Sequence, residues 1–274
     1  MKNIRNKAKH KPQGKPQSKL QSKPQHKTVA KSHGSKNLVF YGKHAVIAAL
    51  KNPHREKICL SGTEKSLAEL TKMGVLTKNL EIDVVQHDRL ENLAGLGVPH
   101  QGLALEIRPL SGKHLDDYRP IDGQSNIVVV LDQVTDPHNV GAIIRSAAAF
   151  GAKALITTDR NSPPESGALA KASSGGLEIL PWVRVPNLSR ALEELAEQGY
   201  WRVGLSGEAD STLANTDAGQ NVALVMGSEG QGIRQGVEKS CDYLAKLPIN
   251  SSMESLNVSV ATSIALYELV RGSK

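Results

Sequence analysis

Aromatic side chains are scarce: the 274 residues include two Trp, five Tyr and two Phe. That is too few for an RNA-binding face of stacked rings, and no aromatic RNP-type motif occurs. Cysteine is scarcer still, with Cys59 and Cys241 far apart. Two such residues build neither a disulfide framework nor a zinc knuckle. They suit a reducing cytosol and are expected to be small buried side chains. No apolar run approaches the roughly 18 residues that span a membrane. A cytoplasmic protein without a membrane partner is therefore expected. His44, His87, His100, His114 and His138 lack metal-ligand spacing. Asp132 and Asp136 lack the glycine and terminal glutamate of a calcium loop. No metal is expected.

Acidic residues are absent from the first 36 positions, which hold ten Lys and one Arg. With a net charge of +7 overall, the remaining residues carry −4. The chain reads as a mildly acidic body with a basic tail. The tail repeats every four residues from Lys11-Pro12-Gln13-Gly14 to Lys23-Pro24-Gln25-His26. Such a segment buries too little apolar surface to offset its ordering entropy, so disorder is expected. It has no apolar core of a secretory signal and no Arg-rich amphipathic pattern of a transit peptide. It is either a solubilising extension or an arm that binds phosphates in a salt-sensitive way.

Apolar residues make up 39% of the chain, enough to bury a core. At roughly 100–200 residues per domain, one large or two small domains fit. Residues 37–110 read as a small α/β unit. An ordered pattern starts at Leu38–Phe40; strands are expected at Lys57–Leu60, Ile82–Val85 and Gly102–Ile107, with helices at His44–Leu50, Leu67–Met73 and Arg89–Gly95. Residues 111–124 lack periodicity and contain Ser111-Gly112, Arg119-Pro120 and Asp122-Gly123, a linker signature. Residues 125–274 then alternate strand and helix. Ile127–Leu131 and Val222–Met226 are continuous apolar runs, as in buried parallel strands. Further strands are expected at Ala154–Thr157, Trp182–Val185, Trp201–Leu205 and Tyr243–Leu247. Helices are expected at Asn139–Phe150, Glu165–Ser173, Leu188–Gln198, near Arg234, and from Ser255 to Arg271. This pattern predicts an α/β domain with a mainly parallel sheet.

Three junctions concentrate polar signals, and open α/β sheets bind ligands at the carboxyl ends of their strands. The first runs from Leu131 to Arg145. Asp136 or Asn139 can cap the helix, and Gly141 permits close backbone approach. Arg145 lies about one and two-thirds turns beyond Asn139 on an otherwise apolar helix. A buried unpaired guanidinium is costly. It therefore needs either a carboxylate that locks helix to sheet or a ligand anion, and the pattern alone leans to the first. The second is Met226-Gly227-Ser228-Glu229-Gly230-Gln231-Gly232. Its glycines permit positive φ and expose backbone groups. The spacing fits neither a dinucleotide fingerprint nor a nucleophile elbow, and a plain tight turn is the alternative. The third runs from Leu247-Pro248 through Ser255-Leu256-Asn257-Val258-Ser259 to Ala261. Ser252 or Ser255 is a good helix cap. Asn257 and Ser259 sit among apolar residues and need partners. The residues alone give an α/β domain that binds a small ligand through three loops, with Arg145, Glu229 and Asn257 as polar candidates.

These segments, in this order, closely resemble the three motifs of the SpoU (TrmH) family of RNA ribose 2′-O-methyltransferases, in the SPOUT superfamily. Asn139-Val140-Gly141 through Arg145-Ser146-Ala147 resembles motif 1. Gly227-Ser228-Glu229-Gly230 with Gly232 resembles motif 2. Leu247-Pro248 with Ser255-Leu256-Asn257-Val258-Ser259 and Ala261 resembles motif 3. Tyr41-Gly42-Lys43-His44-Ala45-Val46 with His100-Gln101-Gly102 resembles the family's N-terminal substrate domain, of ribosomal-protein L30e-like type. The combination is most similar to members that modify a guanosine in large-subunit rRNA. The resemblance implies a parallel sheet with helices on both faces and a C-terminal trefoil knot, a rare exception to the no-knot rule. It implies S-adenosylmethionine as cofactor, RNA as partner, and a homodimer with the active site completed across the interface. It places Gly227, Leu247, Leu256, Ser255 and Leu205 at the cofactor, and Arg145, Asn139, Glu229 and Asn257 in the catalytic set. Other readings are the same chemistry on tRNA, and a non-catalytic RNA-binding or ribosome-assembly factor.

Overall fold

A computed structural model describes residues 37–77 and 79–272. The basic segment 1–36, expected to be disordered, lies outside the described residues. The described residues cluster as one compact unit built on two sheets.

The first sheet uses β1 (Leu38–Tyr41), β2 (Lys57–Gly62), β3 (Glu81–Val84) and β4 (Leu103–Ile107) in the order β1-β4-β2-β3. Strand β4 runs antiparallel to both neighbours, and β2 and β3 are parallel. Helices α1 (Lys43–Lys51), α2 (Glu64–Lys72) and α3 (His87–Ala94) connect the strands. Ala45, Val46, Ala49 and Leu50 recur at helical spacing and form the buried face of α1. Thr63 starts α2 by accepting a hydrogen bond from the Ser66 amide.

The second sheet contains β5 (Asn126–Leu131), β6 (Ala154–Thr158), β7 (Trp182–Val185), β8 (Trp201–Leu205), β9 (Ser211–Thr212), β10 (Asn221–Met226) and β11 (Tyr243–Lys246). Its order is β7-β6-β5-β10-β8-β11-β9, and every pairing is parallel. The helices are α4 (Pro137–Ala149), α5 (Gly167–Ser173), α6 (Leu188–Glu197), α7 (Gln235–Glu238) and α8 (Val258–Gly272). Both faces of the sheet are covered, which explains the unbroken apolar runs. The alternation of side chains splits each run. Ile127, Val129, Leu131, Val222, Leu224 and Met226 enter the cluster that includes α4 and α8 residues. Val128, Val130, Ala223 and Val225 enter the cluster with Leu188, Leu192 and Leu195 of α6. The first cluster also takes in Phe40, Leu60 and Leu105, so one core runs through both sheets.

Several expectations need correction. Residues 111–124 are laid against the second sheet: Leu115 is buried in a short 3-10 turn, and Lys113 bridges to Val183. The Tyr200 hydroxyl also donates to the Tyr118 carbonyl. Strand β9 has two residues, too few to leave a pattern. Helix α5 starts at Gly167 with Ser166 as its cap, which leaves Glu165 free for a different role. Helix α8 starts at Val258 rather than near Ser255. Both cysteines are free and half-buried rather than fully buried. Burial pushes the Cys241 thiol up to about 12. Among the described residues, no helix is long and apolar enough to cross a membrane.

Candidate active site

The three polar junctions converge at one end of the second sheet. Helix α4 begins where Asp136 accepts hydrogen bonds from the amides of His138 (3.0 Å) and Asn139 (3.4 Å). Asp136 is thus the cap, and the Asn139 side chain is left to reach across the fold. Its Nδ2 donates to Glu229 Oε1 at 3.0 Å. The same oxygen accepts from Asn257 Nδ2 at 2.6 Å and from the Val258 amide at 3.2 Å. Asn257 Nδ2 also lies 3.0 Å from Asn139 Oδ1. Asn257 Oδ1 in turn accepts from the Ser259 amide (3.0 Å), the Ser259 hydroxyl (2.6 Å) and the Val260 amide (3.3 Å).

Asn257 is therefore the cap of α8, and the expected caps Ser252 and Ser255 are not. Ser252 instead makes a local turn, through its amide and hydroxyl, with Asn250 Oδ1. Ser255 is exposed. One carboxylate oxygen of Glu229 ties together the start of α4, the glycine loop and the start of α8.

The loop itself needs glycine. A Cβ on Gly227 would lie 2.0 Å from the Gly232 carbonyl carbon. Ser228 and Gly232 exchange backbone hydrogen bonds at 3.1 and 3.0 Å, closing a tight ring in which Gly230 and Gly232 have positive φ. Asp132 supports this ring from below and is fully buried. Its carboxylate accepts from the Arg234 amide (2.9 Å) and from Nε (2.9 Å), with Nη2 at 2.7 Å. This contact was not foreseen. The signal for it was a lone acid at the end of an otherwise apolar buried strand, where an unpaired carboxylate would be costly. Val258 and Ser259 were likewise not singled out as partners of Glu229 and Asn257.

Arg145 is not part of this hub. It is exposed and has no hydrogen bond or ion pair among the described residues. The expected helix-locking carboxylate is absent, because its face of α4 is turned to solvent. Its backbone is nevertheless firmly seated: a Cβ on Gly176 would lie 3.1 Å from the Arg145 Cα. On the next residue of α4, the Ser146 hydroxyl accepts from the Ser263 hydroxyl at 2.7 Å, joining α4 to α8.

The proposed cofactor positions share an edge. Leu205, Gly227 and Leu247 end or follow β8, β10 and β11, which lie side by side in the sheet. Leu256 and Ser255 lie in the segment leading into α8. Among the described residues, the amides of Gly227, Leu247 and Leu256 have no hydrogen bond within the protein. Leu205, Gly227, Leu247 and Leu256 are all half-buried. Free backbone donors beside apolar side chains suit a flat heteroaromatic ligand with polar edges, such as an adenosyl group.

One grouping with metal-ligand spacing occurs among the described residues: Cys59, Glu81 and Asp83 on β2 and β3. Two of the three are exposed. Burial, reinforced by the two carboxylates, pushes the Cys59 thiol up, away from the thiolate that a metal requires.

A parallel sheet ending in a glycine ring, a carboxylate hub and a solvent-facing arginine defines a class, and comparison with known proteins gives it a name. The chain belongs to the SpoU rRNA Methylase family, whose profile matches residues 126–267. A second profile, described as RNA 2′-O ribose methyltransferase substrate binding, matches residues 39–112. Among its relatives, the 23S rRNA (guanosine-2′-O-)-methyltransferase RlmB of Pseudomonas aeruginosa is 38% identical over 235 residues. That alignment covers 84% of this chain and 95% of the relative. RlmB of Pasteurella multocida is 40% identical over 244 residues, covering 84% and 96%. The SpoU methyltransferase AviRb from Streptomyces viridochromogenes, solved with the cofactor AdoMet, superimposes with a TM-score of 0.73 at 26% identity. It covers 86% of this chain and 90% of AviRb.

Proposed function

We propose that this protein is an S-adenosylmethionine-dependent RNA ribose 2′-O-methyltransferase that acts on a guanosine of large-subunit rRNA. The RlmB relatives, matched over nearly their whole length, support the substrate. The observation that carries the chemistry is the convergence of Asn139, Glu229 and Asn257 on one hub, beside free amides at three adjacent strand ends.

S-adenosylmethionine supplies a methyl group on a sulfonium, which needs little electrophilic help. The protein must align the ribose oxygen with that methyl and manage one proton. The amides of Gly227 and Leu247, with Leu205 between them, and those of Leu256 and the Ser255 segment would hold the cofactor. Arg145 has five donors and no acceptor. It therefore acts electrostatically: it holds the target phosphate or the 2′-oxygen and stabilises the charge that develops as the proton leaves to water. Glu229 Oε1 is already engaged by three donors, so its part is to fix the loop and both helix starts. Asn139 and Asn257 hold that arrangement and orient the ribose.

The division of labour follows the two sheets. Residues 37–110 form the RNA-binding domain of L30e-like type, 111–124 the connector, and 125–274 the catalytic domain with its trefoil knot. The insertion of β8 between β10 and β11, with α8 returning against α4, supports the knot. The basic segment 1–36 adds sequence-independent affinity for RNA in the cytoplasm. Val260, Ile264 and Tyr267 form an exposed apolar stripe on α8, next to the hub. That stripe supports a homodimer in which the second copy completes the site.

The test is transfer of labelled methyl to protein-free large-subunit rRNA and, in parallel, to total tRNA, followed by mapping of 2′-O-methyl positions. One rRNA guanosine is expected. Arg145→Ala should lower turnover roughly 10²–10³-fold, as for loss of one charge-stabilising donor, while cofactor affinity stays within about twofold. Labelling of tRNA alone would move the substrate and keep the mechanism. Equal loss of cofactor binding and turnover would make Arg145 structural.

A further inference from the structure

A cleft lies on the carboxyl edge of the large sheet, beside the hub. It encloses about 340 Å³, with Thr158, Arg160 and Asn161 after β6, Pro186 to Ser189 after β7, and Arg234 on its walls. No acidic side chain lines it. That is unusual in a body whose residues beyond 36 sum to −4. Any anion approaching this body meets general repulsion, so a cleft walled by two arginines, only one of them balanced by a carboxylate behind it, is locally more favourable to an anion.

The two cations are held differently. Arg234 is oriented from behind: buried Asp132 engages its amide, Nε and Nη2, yet nearly half of the side chain remains exposed. The pairing fixes the guanidinium plane and leaves its outer edge toward the cleft. Arg160 has no hydrogen bond or ion pair from its side chain among the described residues. Asn187, a polar wall residue at the start of α6, is committed to the Arg190 amide at 3.1 Å. The cleft therefore offers one preset guanidinium and one free guanidinium, a pattern suited to a phosphate oxygen cluster.

Its place matters as much as its charge. Thr158 ends β6, which is two strands from β10, roughly 10 Å along the same edge. Arg234 is two residues past Gly232 of the glycine ring. A phosphate bound here would lie on the same sheet edge as the glycine ring and the hub. We propose that Arg160 and Arg234 form a phosphate subsite for the RNA strand adjoining the target nucleotide, and that Arg160 is a positioning residue for it. The inference rests on the RNA-methyltransferase reading and specifies how that site grips its strand.

The test uses the full chain and a transcript of large-subunit rRNA. Arg160→Ala should raise KM for the transcript about tenfold, with kcat at saturating RNA and cofactor affinity unchanged. The slope of log Kd against log salt should fall by about 1, the loss of one phosphate contact. Arg160→Lys should keep the wild-type slope and recover part of the KM. Arg190→Ala removes an exposed arginine outside the cleft, paired with Glu194, and should change neither quantity. Wild-type KM and slope in Arg160→Ala would overturn the subsite. An equal effect of Arg190→Ala would also overturn it, by reducing the cleft to general surface charge. If the wild type itself neither binds nor methylates any RNA, the functional reading has failed, and the subsite falls with it.

Discussion

Replacing Arg55 by Ala should unfold the junction between the two sheets more readily than any surface change. The Arg55 guanidinium is fully buried, and its Nη2 lies 2.6 Å from Oε1 of Glu178, whose side chain is 4% exposed. Its Nη1 lies 2.5 Å from Glu165 Oε1 and donates to the Arg108 carbonyl at 3.0 Å. It also covers the Phe40 ring at 5.1 Å. Truncation leaves two carboxylates facing one another without their shared guanidinium, with only Lys57 and Arg184 acting on them from farther away. Removing one partner of a buried pair costs about 3–5 kcal/mol. For a chain of this size each kcal/mol lowers Tm by roughly 2–4 °C, so a fall of roughly 6–20 °C is expected. Burial already pushes the Glu165 carboxyl up, against the pull of Arg55. Without Arg55, the upward push on the Glu165 carboxyl is no longer opposed by that cation, so it should titrate above its unfolded value of about 4.3. A raised folded pKa means that the protonated form is tolerated and the charged form is not. The penalty is therefore fully present above the raised pKa and relieved as pH falls toward the unfolded value. Calorimetric melts of both proteins at pH 5.5, 7 and 8 should show the Tm gap narrowing at the acid end. Replacing Glu165 and Glu178 by Gln in the Arg55→Ala background should restore part of the loss. A Tm drop under about 2 °C, or a gap independent of pH, would refute the assignment of this triad as an uncompensated buried charge.

Gly227→Ala should abolish cofactor binding measured by calorimetry while the sheet persists by circular dichroism, because the added Cβ would collide with the Gly232 backbone; wild-type affinity would remove the ring from the cofactor site. Ile264→Glu, in the exposed stripe of α8, should shift the protein to monomer in sedimentation and lower turnover; a monomeric wild type would refute the dimer. Deleting residues 1–36, which carry ten Lys and one Arg, should weaken RNA binding most at low salt and flatten its salt dependence. Affinity that is unchanged at every salt concentration would leave the tail as a solubilising extension.

By itself the sequence determined the alternation of strands and helices, because periodicity and buried apolar runs such as Ile127–Leu131 are local consequences of which faces are covered. It also marked the three junctions, where glycine clusters and Asn/Ser runs sit at strand ends. What each polar residue does there was decided by tertiary structure. Asn257 looked like a polar residue inside a helix; it is the cap that starts α8, because Glu229, 28 positions away, holds both its side chain and the following amide. Arg145 looked like a helix-to-sheet lock; packing of α4 against α5 and α8 turned it to solvent. Asp132 and Arg234 meet across 102 positions, and Arg55 and Glu178 across 123. Neither pair leaves a local signature. Their cost when unpaired is set by burial, and burial at these positions exists only once β5 lies beside β10 and the two sheets share a core.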